Sequence, residues 1–216
     1  MKHFFILLTA FYIFGNTACS SDELNTNKAE AKTTQKNEEV SNLSIEDKAI
    51  IKKYKDIMNN LNFRVREDAN KVMKESLSEI RKIKNDDERQ KIEMQIYMAT
   101  EMYKEAYDLN KKMLSESFSF GRLVTKCELS YYAKISKQEA QACYTELSVI
   151  LKKELETTPK NDPKYIYGEW SYLLFMYKSG HDEYKQKMEN FINSTKDETA
   201  KYQFQSSYEM AIEQNK

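Results

Sequence analysis

An all-α protein is the fold class that three observations predict. Charged residues make up 31% of the 216-residue chain, and four glycines and two prolines are too few to punctuate the many short strands of a sandwich or barrel. Over most of the length, apolar residues recur every three or four positions, the period of a helix with one buried face. Fifteen Tyr, ten Phe and ten Met supply bulk that helix seams can bury while polar tips stay wet. The expected architecture is seven or eight helices in antiparallel hairpins, arranged as a repeat-like array or an irregular helical bundle.

The first segment stands apart from that fold. Lys2 and His3 precede an apolar run from Phe4 to Phe14, and Gly15-Asn16-Thr17-Ala18-Cys19 follows. A basic start, a short apolar core and small residues before a cleavage point describe a secretory signal, and the run falls short of the ~20 residues of a membrane-spanning helix. Residues 1–18 are expected to be a signal peptide. Ser20 to Asn42 is polar and charged, with Leu24 and Val40 its only large apolar residues and no aromatic. Such a stretch buries too little surface to fold. Residues 19–43 are expected to be a tether reaching roughly 25–30 Å, and residues 44–216 one helical domain.

Ser44 is placed to cap the first helix, with Glu46 and Asp47 in its first turn. Ile50, Tyr54, Ile57, Leu61, Val65, Ala69, Val72 and Ser76 then hold one phase, which allows either one long helix or two broken near Asn59-Asn60-Leu61-Asn62. Asn85-Asp86-Asp87 marks a turn. Another helix starts there and carries Ile92, Ile96, Ala99, Tyr103, Ala106, Tyr107, Leu109, Met113 and Leu114 without a break, until Ser115 to Gly121 interrupts it.

Ser136 followed by Glu139 is a capping box that starts a new helix after Ile135. Cys127 and Cys143 lie eight residues either side of residue 135, so an antiparallel hairpin turning there brings them opposite each other. A disulfide across the hairpin follows, worth roughly 3 kcal/mol for a loop of that size; two free buried thiols are the alternative. Thr157 to Pro163 holds both prolines and is an internal loop. The strongly apolar Tyr165–Ser179 helix ends at Gly180, a left-handed C-cap. His181 to Asn193 forms a short partner helix, and Ser194 with Asp197 opens the last one, through Ile212.

Thr17-Ala18-Cys19 resembles the lipobox of bacterial lipoproteins, although Asn16 stands where that family usually has Leu. The resemblance implies that Cys19 becomes the first mature residue and carries acyl chains that hold the protein on a membrane. Ser20, rather than the Asp that retains many lipoproteins at the inner membrane, implies the outer membrane facing the periplasm; Asp22 and Glu23 are compatible with surface display. Separately, Trp170, Leu173 and Tyr177, followed by Gly180 and the Tyr184-Met188-Phe191 helix, resemble one tetratricopeptide-type helix pair. That match covers about 30 residues and departs from the pattern at Leu174, where a small residue is preferred.

Residues for catalysis are sparse. His181 is the only histidine after the signal segment and sits beside Asp182 and Glu183 in a turn, where it reads as a solvated helix start. No phosphate-binding glycine loop or zinc-site spacing occurs, so no cofactor or metal is expected. With 34 basic and 34 acidic residues there is no strongly basic surface for nucleic acid. Tyr165, Tyr167, Trp170, Tyr172 and Tyr177 surround one helix, which implies either a central helix packed on two sides or a Tyr-edged groove, and they are the candidate binding surface. The resulting expectation is a membrane-anchored, non-catalytic lipoprotein whose helical domain binds an envelope protein in a scaffold or immunity-type role. The alternative is an envelope enzyme acting on peptidoglycan or glycan through paired carboxylates, such as Asp86-Asp87-Glu88 or Asp182-Glu183.

Overall fold

The computed structural model describes residues 43–62 and 65–214, and these form helices throughout. In chain order they are α1 (Ile45–Asn60), α2 (Arg66–Ile80), α3 (Asp86–Ala99), α4 (Tyr103–Glu116), α5 (Phe120–Tyr132), α6 (Lys137–Thr157), α7 (Tyr165–Lys178), α8 (Tyr184–Ser194) and α9 (Glu198–Gln214). The signal segment, Cys19 and almost all of the expected tether lie outside the described residues. The helical region expected as one domain divides into two compact units, one ending at Leu109 and one starting at Asn110, inside α4.

Nine described helices exceed the expected seven or eight. The unbroken helix expected from Asn85 to Leu114 is two, because the chain reverses at Glu101 in a left-handed conformation, φ 59°. The Met102 N–H bonds the Tyr97 carbonyl at 2.8 Å and the Glu101 N–H bonds that of Met98 at 3.4 Å, which is the Schellman arrangement. The same device recurs at Lys134 (φ 54°) after α5, where the Ile135 N–H reaches the Ser130 carbonyl at 2.9 Å, and at Gly180 (φ 100°) after α7. Only the last of the three uses the glycine that such a position favours.

In the N-terminal unit α1 packs on α2 and α2 on α3. Ser44 caps α1 by accepting the Asp47 N–H at 2.9 Å, and Asn85 caps α3 by accepting the Glu88 N–H at 3.0 Å. Between α2 and α3 the turn is held from both flanks. The Asp47 carboxylate, 2% exposed, accepts the N–H of Lys84 at 2.9 Å and of Asn85 at 3.2 Å, while the Arg89 guanidinium donates to the Ile83 carbonyl at 2.8 Å. The Lys84 amide, with Asn85 and Ser44 behind it, holds the Asp47 pKa below the ordinary 3.8, against the opposing effect of burial.

In the C-terminal unit Arg122 ties the end of α4 to the start of α5 by donating to the carbonyls of Met113 (3.2 Å) and Ser117 (2.9 Å). α5 and α6 form the expected hairpin, with Ser136 accepting the Glu139 N–H at 3.2 Å. α7 packs on α6, α8 on α7, and α9 on both α7 and α8. Gly168 lets α7 lie close against α6, because a Cβ there would stand 2.9 Å from Leu155 Cδ2. The cap of α9 differs from expectation. Asp197 accepts the Ala200 N–H at 2.8 Å, while Ser194 turns back to the Phe191 carbonyl and stays in α8.

Two outcomes follow. Lys134→Gly relieves the left-handed strain and raises stability in urea by roughly 0.5–1 kcal/mol, whereas Gly180→Ala lowers it by about 1–2 kcal/mol, since the new Cβ also displaces Gln141. For Asp47, a depressed folded pKa means that its contribution is present above the unfolded value and lost as pH falls through the folded one. Denaturation midpoints measured between about pH 6 and 2 should therefore show a shallower acid limb in Asp47→Asn than in the parent chain; identical limbs would contradict the clamp.

Candidate functional surfaces

Ten of the fourteen residues of α7 are aromatic, aliphatic or methionine, and they point all round the helix axis. Cover on two sides is the consequence. One side carries Phe175 and Tyr172 into a core of Leu123, Cys127, Cys143, Tyr144, Leu147 and Leu151 from α5 and α6. The other carries Trp170 and Tyr177 into a core with Met188 and Ile192 of α8 and Ala200, Phe204 and Ala211 of α9. Phe204 is the centre of this second core. Its ring stacks on Trp170 (4.9 Å between centroids), meets Tyr167 edge-on at 5.5 Å and lies 5.6 Å from Phe191. The Trp170 indole N–H finds its partner in Ser207 Oγ at 2.9 Å.

The five aromatics expected to edge a groove are therefore divided. Trp170 and Tyr177 are buried and unavailable to a partner, and Tyr165, Tyr167 and Tyr172 are half-buried. Of the two readings the sequence allowed, the structure has the central helix packed on both sides. Tyr172 is held by Tyr184, hydroxyl to hydroxyl at 3.5 Å; this hydrogen bond, then burial, lifts its pKa to about 12.

Cys127 and Cys143 are joined, with their Cα atoms 5.5 Å apart. Beside this bridge the Lys178 ammonium, on α7, contacts both carboxylate oxygens of Glu128 on α5 (2.8 and 2.9 Å) and donates to the Tyr144 hydroxyl on α6 at 3.2 Å. The Lys178 side chain is 10% exposed, so each of its charges and donors is matched within the three-helix junction. Burial, then the neighbouring Glu128 charge, raises the Tyr144 pKa far above its ordinary value.

His181 is exposed and meets Glu183 at 3.4 Å and the Tyr184 ring at 6.2 Å. Asp86 pairs with Arg89 at 2.5 Å and Glu88 with Lys91 at 3.2 Å, all within the first turns of α3, and Asp182 and Glu183 are exposed ahead of α8. The described residues bring no three His, Cys, Asp or Glu side chains together as a metal site, and no described helix is long and apolar enough to cross a membrane.

The periodicity missed a groove between α1 and α2. Ile50, Ile57, Val72 and Ser76, expected on the buried stripe, are only half-buried, because the core face of α1 is Asp47, Ile51 and Tyr54 and that of α2 is Ala69, Met73, Leu77 and Ile80. The adjacent pair Ile50-Ile51 was the available signal, since neighbouring helical residues point about 100° apart and mark two apolar faces. The groove has a volume of about 210 Å³, and the described residues that line it all belong to α1 and α2.

Non-reducing peptide mapping of native protein should find Cys127 linked to Cys143. Loss of the link by the double change Cys127→Ala, Cys143→Ala is expected to lower stability by roughly 3 kcal/mol, and two freely alkylatable thiols in fresh material would contradict the bridge. Comparison of the chain with protein-family models, with curated proteins and with solved structures gave no match.

Proposed function

We propose that this chain is a bacterial lipoprotein, anchored by acyl chains on Cys19 in the outer membrane facing the periplasm, whose helical region binds another protein of the cell envelope. The observation that carries the anchor is the run from Lys2 to Cys19, a basic start and a short apolar core ending in Thr17-Ala18-Cys19. The disulfide at Cys127 and Cys143 supports an exported location, since such bridges persist in oxidising compartments. The binding role is supported by two units each built from packed helical hairpins, an architecture that presents grooves to partners, and by the half-buried apolar groove between α1 and α2. A scaffold in envelope assembly and an immunity protein against an envelope-directed toxin both fit this description, and the identity of the partner separates them.

The test is Cys19→Ser, compared with the parent chain by membrane fractionation and intact mass. The parent is expected in the membrane fraction with the added mass of its acyl groups, and the variant in the soluble fraction without it. An unchanged distribution, or a parent of unmodified mass, would refute the anchor.

A further inference from the structure

The groove between α1 and α2 differs from the hairpin grooves of the C-terminal unit in what fills it. Ile50, Ile57, Val72, Ile80 and the Tyr54 ring form an apolar trough. Tyr54 is only 7% exposed, yet its hydroxyl forms no hydrogen bond with any described residue. No side-chain oxygen or nitrogen among the described residues is both buried and without a partner, so the Tyr54 hydroxyl opens to solvent and offers the trough one accessible hydrogen-bonding position.

Within the C-terminal unit the chain fills hairpin grooves itself, and twice in the same way. α7 covers α5 and α6 with Phe175, and α9 covers α7 and α8 with Phe204. A helix carrying one large apolar side chain is thus the element that closes a groove of this kind here. Among the described residues no third helix lines the α1–α2 groove. Its edges also carry opposite charge. Lys53 stands on α1, near enough to favour the Glu79 carboxylate, whereas Glu75 and Glu79 stand on α2. Glu79 is paired with Lys82 at 2.5 Å, and neither Lys53 nor Glu75 has an ion pair among the described residues. Two edges of opposite sign suit a peptide helix with acid on one flank and base on the other. An acyl chain would gain nothing from them, and a glycan would find one buried ring in place of an open aromatic platform.

We infer that the α1–α2 groove seats an amphipathic helix of a partner protein, with a large apolar side chain over Ile57 and Val72, a hydrogen-bonding group on the Tyr54 hydroxyl, acid toward Lys53 and base toward Glu75. This rests on the protein-binding reading proposed above and adds its site and the form of the ligand.

Site-specific photocrosslinking on the full acylated chain in native envelopes tests it. Benzoylphenylalanine is placed at Ile57 or Val72, and at Tyr202, 75% exposed on α9, as the comparison position. Crosslinked peptides are then sequenced by mass spectrometry. The expected result is one protein partner from both groove positions and none from Tyr202, joined through a segment whose apolar residues recur every three or four positions. In the chain carrying the probe at Ile57, Val72→Lys should abolish the crosslink. Tyr54→Phe should reduce it several-fold while leaving the unfolding midpoint near that of the parent chain, because only a solvent-accessible hydroxyl is removed. A partner caught from Tyr202 but not from the groove would overturn the inference and leave protein binding standing. Crosslinks only to lipid or glycan, or none from any position, would overturn both. Unchanged yield in Tyr54→Phe would overturn the role of the hydroxyl.

Discussion

The C-terminal unit depends on one constraint, that α7 is apolar on every side and must be covered on two. A helix with a single stripe packs against one neighbour and leaves its other face in water. α7 requires the α5–α6 hairpin on one side and α8 with α9 on the other, so the helices before and after it are organised by its demands. Full burial of a side chain the size of Phe204 is worth about 1.5–3 kcal/mol of transfer free energy, and its contacts with Tyr167, Trp170 and Phe191 add the preferred geometries of ring pairs.

Polar interactions then fix registers that apolar contact alone leaves loose. Lys178 sits at the C-terminal end of α7 and meets Glu128 and Tyr144 on two different helices, which sets where α7 stops against the hairpin. Gly168 permits the close approach at the other end of the same helix, where any side chain would have to displace Leu155. In the N-terminal unit, Asp47 performs the equivalent task by holding the backbone of the α2–α3 turn from α1. Both devices place a charged group where its partners are already arranged, so desolvation is offset within the native structure.

The parts of this arrangement legible in the sequence are those governed by local chemistry. Ser44 and Ser136 cap the helices they were expected to cap, α3 starts at the expected Asn85-Asp86-Asp87 turn, Gly180 ends α7, and the positions of Cys127 and Cys143 about residue 135 place them opposite each other in the hairpin. The break at Glu101 was not legible, because Ala99-Thr100-Glu101-Met102 contains neither Gly nor Pro and the apolar phase runs through it. There a residue that does not favour the left-handed region adopts it, and the turn is closed by the Met102 N–H on the Tyr97 carbonyl. The sequence marks Asp47 only as a first-turn acid, since its partners lie 37 and 38 residues away. The candidate binding surface around Trp170 was legible as an unusual concentration of rings, but not its use, because periodicity reports that a helix has two apolar faces and is silent on what covers the second. The same limit hid the α1–α2 groove behind Ile50-Ile51.

Hydrogen–deuterium exchange by mass spectrometry on the native chain tests the central role of α7 most directly. If α7 is the element about which the C-terminal unit is built, the amides of Tyr165–Lys178 exchange last in that unit, at a rate set by its global unfolding, together with the facing segments of α6 and α9. Exchange of α7 ahead of α5 and α6, with the hairpin remaining protected, would show that the disulfide-linked pair stands without it and would contradict the account.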